Sequence, residues 1–164
     1  MIRIASNNDI PRIAEIELFV SRYSFKSIFS NEFLYKKLTY EYHKNWIEKQ
    51  IINMEKYSGI KFYVLEEENI IIAYFSIGFS DNNEECELFN IRIDVPFQHN
   101  KNGTIIINYC FELVKNNGTK LITVRAFENN TVARRFYEKF GFKINDRYFS
   151  EEFGIFFLKY IKHF

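Results

Sequence analysis

The segment "ENNTVARRFYEKFGF" places Asn130, Ala133, Tyr137, Gly141 and Phe142 where they could form part of a site. Asn130 and Ala133 stand near the start of a short helix, and Tyr137 lies further along the same face. A tyrosine on an apolar helix face also fits a core position with its hydroxyl tied to a partner, so spacing alone leaves both readings open. The stretch "QHNKNGT" (Gln98, His99, Asn100, Lys101, Asn102, Gly103 and Thr104) carries one lysine and no acid, and it opens a helix. The first N–H groups of a helix lack intrahelical acceptors and sit at the positive end of its dipole. This loop could therefore cradle a pyrophosphate, although Asn-Gly loops before helices also serve as plain turns. Glu87 offers a strand carboxylate, and it equally reads as a solvated residue like its neighbours Glu84 and Glu85.

Other chemistries lack their residues. His43, His99 and His163 are scattered, and no cysteine pair has zinc-site spacing, so no metal is expected. No serine sits in a nucleophile elbow, and neither the phosphate-loop pattern nor the dinucleotide fingerprint occurs. What remains is chemistry that needs a bound activated group and a residue to move a proton.

Together, "ECELFNIRIDVPFQHNKNGTIII" and "ITVRAFENNTVARRFYEKFGF" resemble the acetyl-coenzyme A signature of the Gcn5-related N-acetyltransferases, and "IRIASNNDIPRIAEI" is similar to that family's opening strand and helix. The resemblance follows the order of elements along nearly the whole chain and is most specific between Asn130 and Phe142. It implies one N-acetyltransferase domain over residues 1–164 with the acyl-CoA N-acyltransferase fold and acetyl-CoA as co-substrate. It implies that backbone N–H groups of residues 98–104 hold the pyrophosphate. The strand at Ile91, Arg92 and Ile93 would pair with the pantetheine arm and offer an N–H to the thioester carbonyl. Asn130 and Ala133 would contact the cofactor, and Tyr137 would protonate the departing thiolate, which needs only modest acid help. Glu87 stands where many relatives carry a base.

The implied reaction is acetyl transfer to a primary amine of a small molecule by direct attack in a ternary complex. An acceptor amine on a protein N-terminus or lysine is one alternative, and a non-catalytic coenzyme A-binding module is another. Two features depart from the family. Lys101 stands where the loop usually has glycine, so the loop is expected to run differently. Val95 stands where proline usually marks the bend, and Pro96 follows it.

The elements that must position these residues are legible from pattern. A strand at Ile2 to Ala5 precedes a helix capped by Asp9, with Pro11 in its first turn and Ile10, Ile13, Ile16 or Glu17, and Val20 at helical spacing. The aromatic stretch from Ser21 to Tyr40 shows no clear period, and Tyr23 to Tyr42 is expected to help form the acceptor side. A helix over Glu41 to Lys56 aligns Trp46, Ile47, Gln50, Ile51 and Met54, and Ser58-Gly59 breaks it. Strands follow at Lys61 to Glu66 and Ile70 to Phe79. "SDNNEE" is a turn, so the strands flanking it form a hairpin. In the strand Glu84 to Asp94, Glu87, Phe89, Ile91 and Ile93 are expected to share a face. A helix over Thr104 to Val114 ends at Gly118, a strand runs from Leu121 to Phe127, and Asn130 caps a helix over Thr131 to Phe140. Strands at Phe142 to Phe149 and Phe153 to Ile161 close the chain. The class is α/β or α+β with one mixed, mostly antiparallel sheet flanked by helices, and the strands around the helix at 104–114 should be parallel.

Composition bounds the setting. A chain of 164 residues with 47% apolar residues can build a core, and a formal net charge of +1 with no basic stripe argues against a nucleic-acid partner. Cys86 and Cys110 are too few for a disulfide framework and read as buried reduced thiols. The opening residues do not form a signal peptide, and the longest apolar run, Ile70 to Phe79, is well short of the roughly 20 residues of a membrane span. The expectation is a soluble cytoplasmic protein. Its exposed C-terminal strand edge is where a second copy could pair as a homodimer.

Overall fold

The computed structural model describes residues 1–56 and 59–164, and side chains outside 54–58. The expected positions of Met54 and of the break at Ser58 lie outside the described residues. In chain order the elements are β1 (Ile2–Ile4), α1 (Ile10–Ser24), α2 (Tyr40–Lys56), β2 (Ile60–Glu67), β3 (Ile70–Phe79), β4 (Glu85–Ile93), α3 (Asn102–Asn116), β5 (Leu121–Phe127), α4 (Thr131–Lys139), β6 (Lys143–Ser150) and β7 (Ile155–His163). The seven strands make one sheet in the order β1-β2-β3-β4-β5-β7-β6. Every neighbouring pair is antiparallel except β4 and β5, which are parallel as expected across α3.

Each face of the sheet is sealed by apolar stripes whose burial drives the fold. On one face, Ile10, Ile13, Ile16 and Val20 of α1 and Ile47 and Ile51 of α2 pack on Phe62, Val64 and Tyr74. Trp46 of α2 is 37% exposed, and buried His43 takes its place in the stripe, one turn before Ile47. On the opposite face, Ile106, Ile107, Cys110 and Val114 of α3 and Tyr137 of α4 pack on Cys86, Leu88, Ile122 and Val124. Both cysteines are free and buried, and burial pushes the Cys86 thiol up to about 12 and Cys110 higher still, as inert reduced thiols require.

The stretch without a clear period resolves into three parts. α1 continues to Ser24, a single wide turn at Phe33–Lys37 buries Leu34, and the residues between pack by aromatic edges. Phe25 and Phe29 meet Phe127 edge-on at 5.2 and 5.3 Å. Such packing follows ring geometry and leaves no helical or strand period to read.

The expectation that Glu87, Phe89, Ile91 and Ile93 share a face is corrected. Ser76 pairs with Asn90 but Ile77 pairs with Leu88, so Phe89 is an extra residue in β4. A bulge of this kind shifts the alternation by one position. Ile91 and Ile93 therefore pack with Cys86 and Leu88 on the α3 face, while Glu87 reaches the other side. Gly78 makes room for the bulge, because a Cβ there would lie 3.0 Å from the Phe89 ring. Among the described residues, no helix is long and apolar enough to cross a membrane.

Candidate active site

β4 and β5 run together only where Glu85 to Leu88 face Leu121 to Val124. Beyond the Phe89 bulge, β4 keeps its ladder to β3 as far as Ile93, while Arg125 to Phe127 pair only with β7. The two strands part, and their facing edges have no strand partner among the described residues. Peptide groups along such an edge must find other hydrogen-bond partners, so the slot can pair with an extended ligand carrying amides.

The "QHNKNGT" loop closes one end of the slot. A short turn at Val95–Phe97 reverses the chain after β4, and His99 and Lys101 take φ of 66° and 64°. Lys101 thus adopts the left-handed backbone region that glycine enters most freely. Its N-cap position leaves Ile105 as the first amide to bond back, to the Lys101 carbonyl at 3.1 Å, so the amides of the first turn have no intrahelical acceptor. Buried Asn102 ties its side-chain amide to the Phe97 carbonyl at 3.0 Å, and Gln98 ties its own to the Ile93 carbonyl at 2.9 Å. The first bond braces the loop against the turn before it, and the second ties it to the end of β4. His99, Asn100 and Lys101 are exposed, and Gly103 and Thr104 are half-buried. A Cβ on Gly103 would lie 3.0 Å from the Phe136 ring, so α3 starts hard against α4.

On α4 the expected cap is present. Asn130 Oδ1 accepts the Ala133 N–H at 3.2 Å, so the carboxamide caps the helix. Tyr137 is buried on the α3 side of the sheet, its ring 5.5 Å from Phe136 and 5.7 Å from Phe142. Burial pushes its phenol up to about 12, partly offset by the nearby positive charge of Arg92. The hydroxyl is therefore a proton donor at neutral pH.

Glu87 is half-buried and accepts from Arg125 Nε at 2.5 Å, across the last paired residues of β4 and β5. It stands apart from Tyr137, on the opposite face of the sheet.

Pattern reasoning missed a polar cluster under β4. Glu17 of α1 is buried and accepts from the Tyr74 hydroxyl and from Arg92 Nε, the latter at 3.0 Å. Burial beside this carboxylate pushes the Tyr74 phenol well up. His43 is buried nearby with its Nε2 unpartnered, and burial lowers its basicity, so it is held neutral. Arg12 of α1 pairs with Asp94, directly after β4. The signal was present in the sequence: Glu17 and His43 each interrupt an apolar stripe of a helix, where a polar group needs a partner.

The model of the acetyltransferase (GNAT) family matches residues 22–142, most of the chain and all of the slot, loop and α4. The chain belongs to the GNAT acetyltransferase family. It is accordingly an acetyl-coenzyme A-dependent N-acetyltransferase, as the sequence implies. The spermidine N(1)-acetyltransferase of Thermoplasma acidophilum is 21% identical over 145 residues, spanning 88% of this chain and 89% of that protein. The fold matches the PaiA N-acetyltransferase of Thermoplasma acidophilum in complex with coenzyme A, with a TM-score of 0.82 at 20% identity, covering 100% of this chain and 98% of that one. It also matches a ribosomal-protein-alanine N-acetyltransferase from Brucella melitensis, with a TM-score of 0.73 at 18% identity, covering 100% and 99%. Relatives so distant share the GNAT architecture while differing in the acceptors their names record.

Proposed function

We propose that this enzyme acetylates a primary amine of a small molecule, with both substrates bound at once. The observation that carries the reading is the parting of β4 from β5 directly beside the free amides that open α3. That arrangement suits a long ligand with amides along its arm and a pyrophosphate at its end. Acetyl-CoA, when bound, supplies an activated thioester.

The residues divide the work as follows. Backbone N–H groups from Gln98 to Thr104 hold the pyrophosphate, and Lys101 adds a charge at the rim. The Ile91–Ile93 backbone lies along the pantetheine arm and aims an N–H at the carbonyl oxygen that gains charge. Asn130 and Ala133 line the far wall. The Tyr137 hydroxyl gives its proton to the departing sulfur. Glu87 takes the amine's proton, directly or through water, while Arg125 holds its carboxylate in place. Binding both reactants together removes much of the entropic cost of their meeting.

The spermidine relative favours a small amine over a protein acceptor. The buried reduced thiols suit a cytoplasmic setting. The test is thiol release from acetyl-CoA with a panel of polyamines, amino acids and aminoglycosides beside an N-terminal and a lysine peptide. Turnover of a small amine with intersecting initial-rate lines is expected. Turnover of peptides alone assigns a protein acceptor, and cofactor binding without turnover on any amine assigns a binding module.

A further inference from the structure

A cleft of about 630 Å³ lies between the C-terminal half of α1, Tyr35 and the turn that follows β4. Its walls carry Phe19, Arg22, Tyr23, Lys26 and Tyr35 on one side and Asp94 to Pro96 on the other. The volume falls in the range of small-molecule sites. Phe19, Tyr23 and Tyr35 are 50%, 51% and 54% exposed, an unusual concentration of open aromatic surface.

The charge of this cleft is one-sided. Arg22 on the last turn of α1 and Lys26 just past its end both line the cleft, and neither meets a carboxylate among the described residues. Arg22 lies over the Tyr35 ring at 4.6 Å and Lys26 over Tyr23 at 5.5 Å. Arg22 Nε is buried with no hydrogen-bond partner. The one acid in the wall, Asp94, is taken by Arg12. A buried guanidinium donor without an acceptor is costly, and an anion would satisfy it.

The cleft is also tied to the reaction strand. Asp94 directly follows Ile93, and Arg12 of α1 holds it there. A ligand seated here lies beside the arm of β4 that the proposed function assigns to the thioester.

We propose that this cleft holds the far end of the acceptor, and that this end is a carboxylate or phosphate on a planar apolar body, read by Arg22 and Lys26 with Tyr23 and Tyr35. The inference rests on the small-amine reading above and narrows it. A polyamine, cationic along its whole length, is the wrong partner for these two cations.

The test uses the full chain saturated with coenzyme A and calorimetric titration of four probes: benzoate, phenyl phosphate, benzyl alcohol and spermidine. The two aromatic anions are expected to bind, and benzyl alcohol and spermidine to bind far more weakly. Arg22→Met with Lys26→Met should weaken the anions by about tenfold or more, and Lys26→Met alone, at an exposed position, should weaken them in the same direction without touching the fold. Thermal stabilisation by coenzyme A should stay as in the wild type. Anions that bind no better than benzyl alcohol overturn the proposal. So does a loss of coenzyme A stabilisation in the variants, which would assign the two cations to cofactor phosphates. Because the titration needs no turnover, it decides the cleft even if no small amine is acetylated. Conversely, acetylation of spermidine in preference to carboxylate-bearing amines upholds the small-amine reading and overturns this one.

Discussion

Arg92 donates from Nε to Glu17 Oε2 across 3.0 Å, joining the arm of β4 beyond the bulge to α1. The arm has lost β5 as a neighbour, and this ion pair, with Arg12 to Asp94 one step further on, holds it from the helix side. Both side chains are largely withdrawn from water, 22% and 11% exposed.

Glu17→Gln should therefore destabilise the fold by about 3 kcal/mol, because Arg92 is left charged and unpaired. The double variant with Arg92→Gln should lose less than the sum of the two singles. Urea denaturation of the four proteins measures both, and strict additivity would show that the pair is not coupled.

Tyr137→Phe should lower kcat by roughly 10²-fold and leave thermal stabilisation by coenzyme A unchanged, as loss of a proton donor does. Burial holds the Tyr137 phenol at about 12, so the wild-type profile should show no loss of the acid below pH 10. Equal kcat in the two proteins would return Tyr137 to a packing role.

Lys101 separates backbone strain from charge. Lys101→Gly keeps the left-handed turn and relieves a cost of about 1 kcal/mol, while Lys101→Ala keeps the strain and removes the charge. Lys101→Gly should raise the Tm and Lys101→Ala should not. If the charge serves the pyrophosphate, both variants should weaken coenzyme A binding to the same extent, and calorimetry reads this directly.

Asp9 governs acid stability at the N-terminal end. Hydrogen bonding to Arg3 lowers its carboxyl to about 2 from 3.8, helped by Ser6. The unfolded chain binds this proton first as pH falls, so the stabilisation is complete above pH 4 and is lost as pH drops towards 2. Asp9→Asn should cost roughly 1–2 kcal/mol at pH 7, and the gap to wild type should shrink below pH 4. A gap that is constant with pH would exclude the ion pair as its source.

Glu87→Gln should reduce kcat/KM most at neutral pH and least at alkaline pH, where more of the amine arrives deprotonated. A uniform loss at every pH would point to positioning through Arg125 instead.

Much of this architecture was legible because its signals are local. Asn130 caps the helix that its position promised, Gly118 and Gly141 take the positive φ expected of helix ends, and the parallel pairing of β4 with β5 followed from the helix between them. The faces of β4 were misread because one inserted residue, Phe89, is invisible to an alternation count and shows itself only in the register with β3. The Glu17 cluster was missed for a related reason. Its members come from α1, α2, β3 and β4, and no spacing along the chain relates them. The left-handed backbone at Lys101 was not legible either, because a lysine's residue type does not announce a φ of 64°.

Among the described residues, only four backbone pairs join β4 to β5, with the Glu87–Arg125 ion pair beside them. The sheet is thus two half-sheets with a short seam, covered by α1 and α2 on one face and by α3 and α4 on the other. An extended ligand along the open part of that seam, as proposed for acetyl-CoA, would act as a temporary eighth strand. Substrate binding would then also be a mechanical event. The protein would be stiffest while loaded, and the slowest amide exchange in Phe89 to Ile93 would mark the moment the seam is closed.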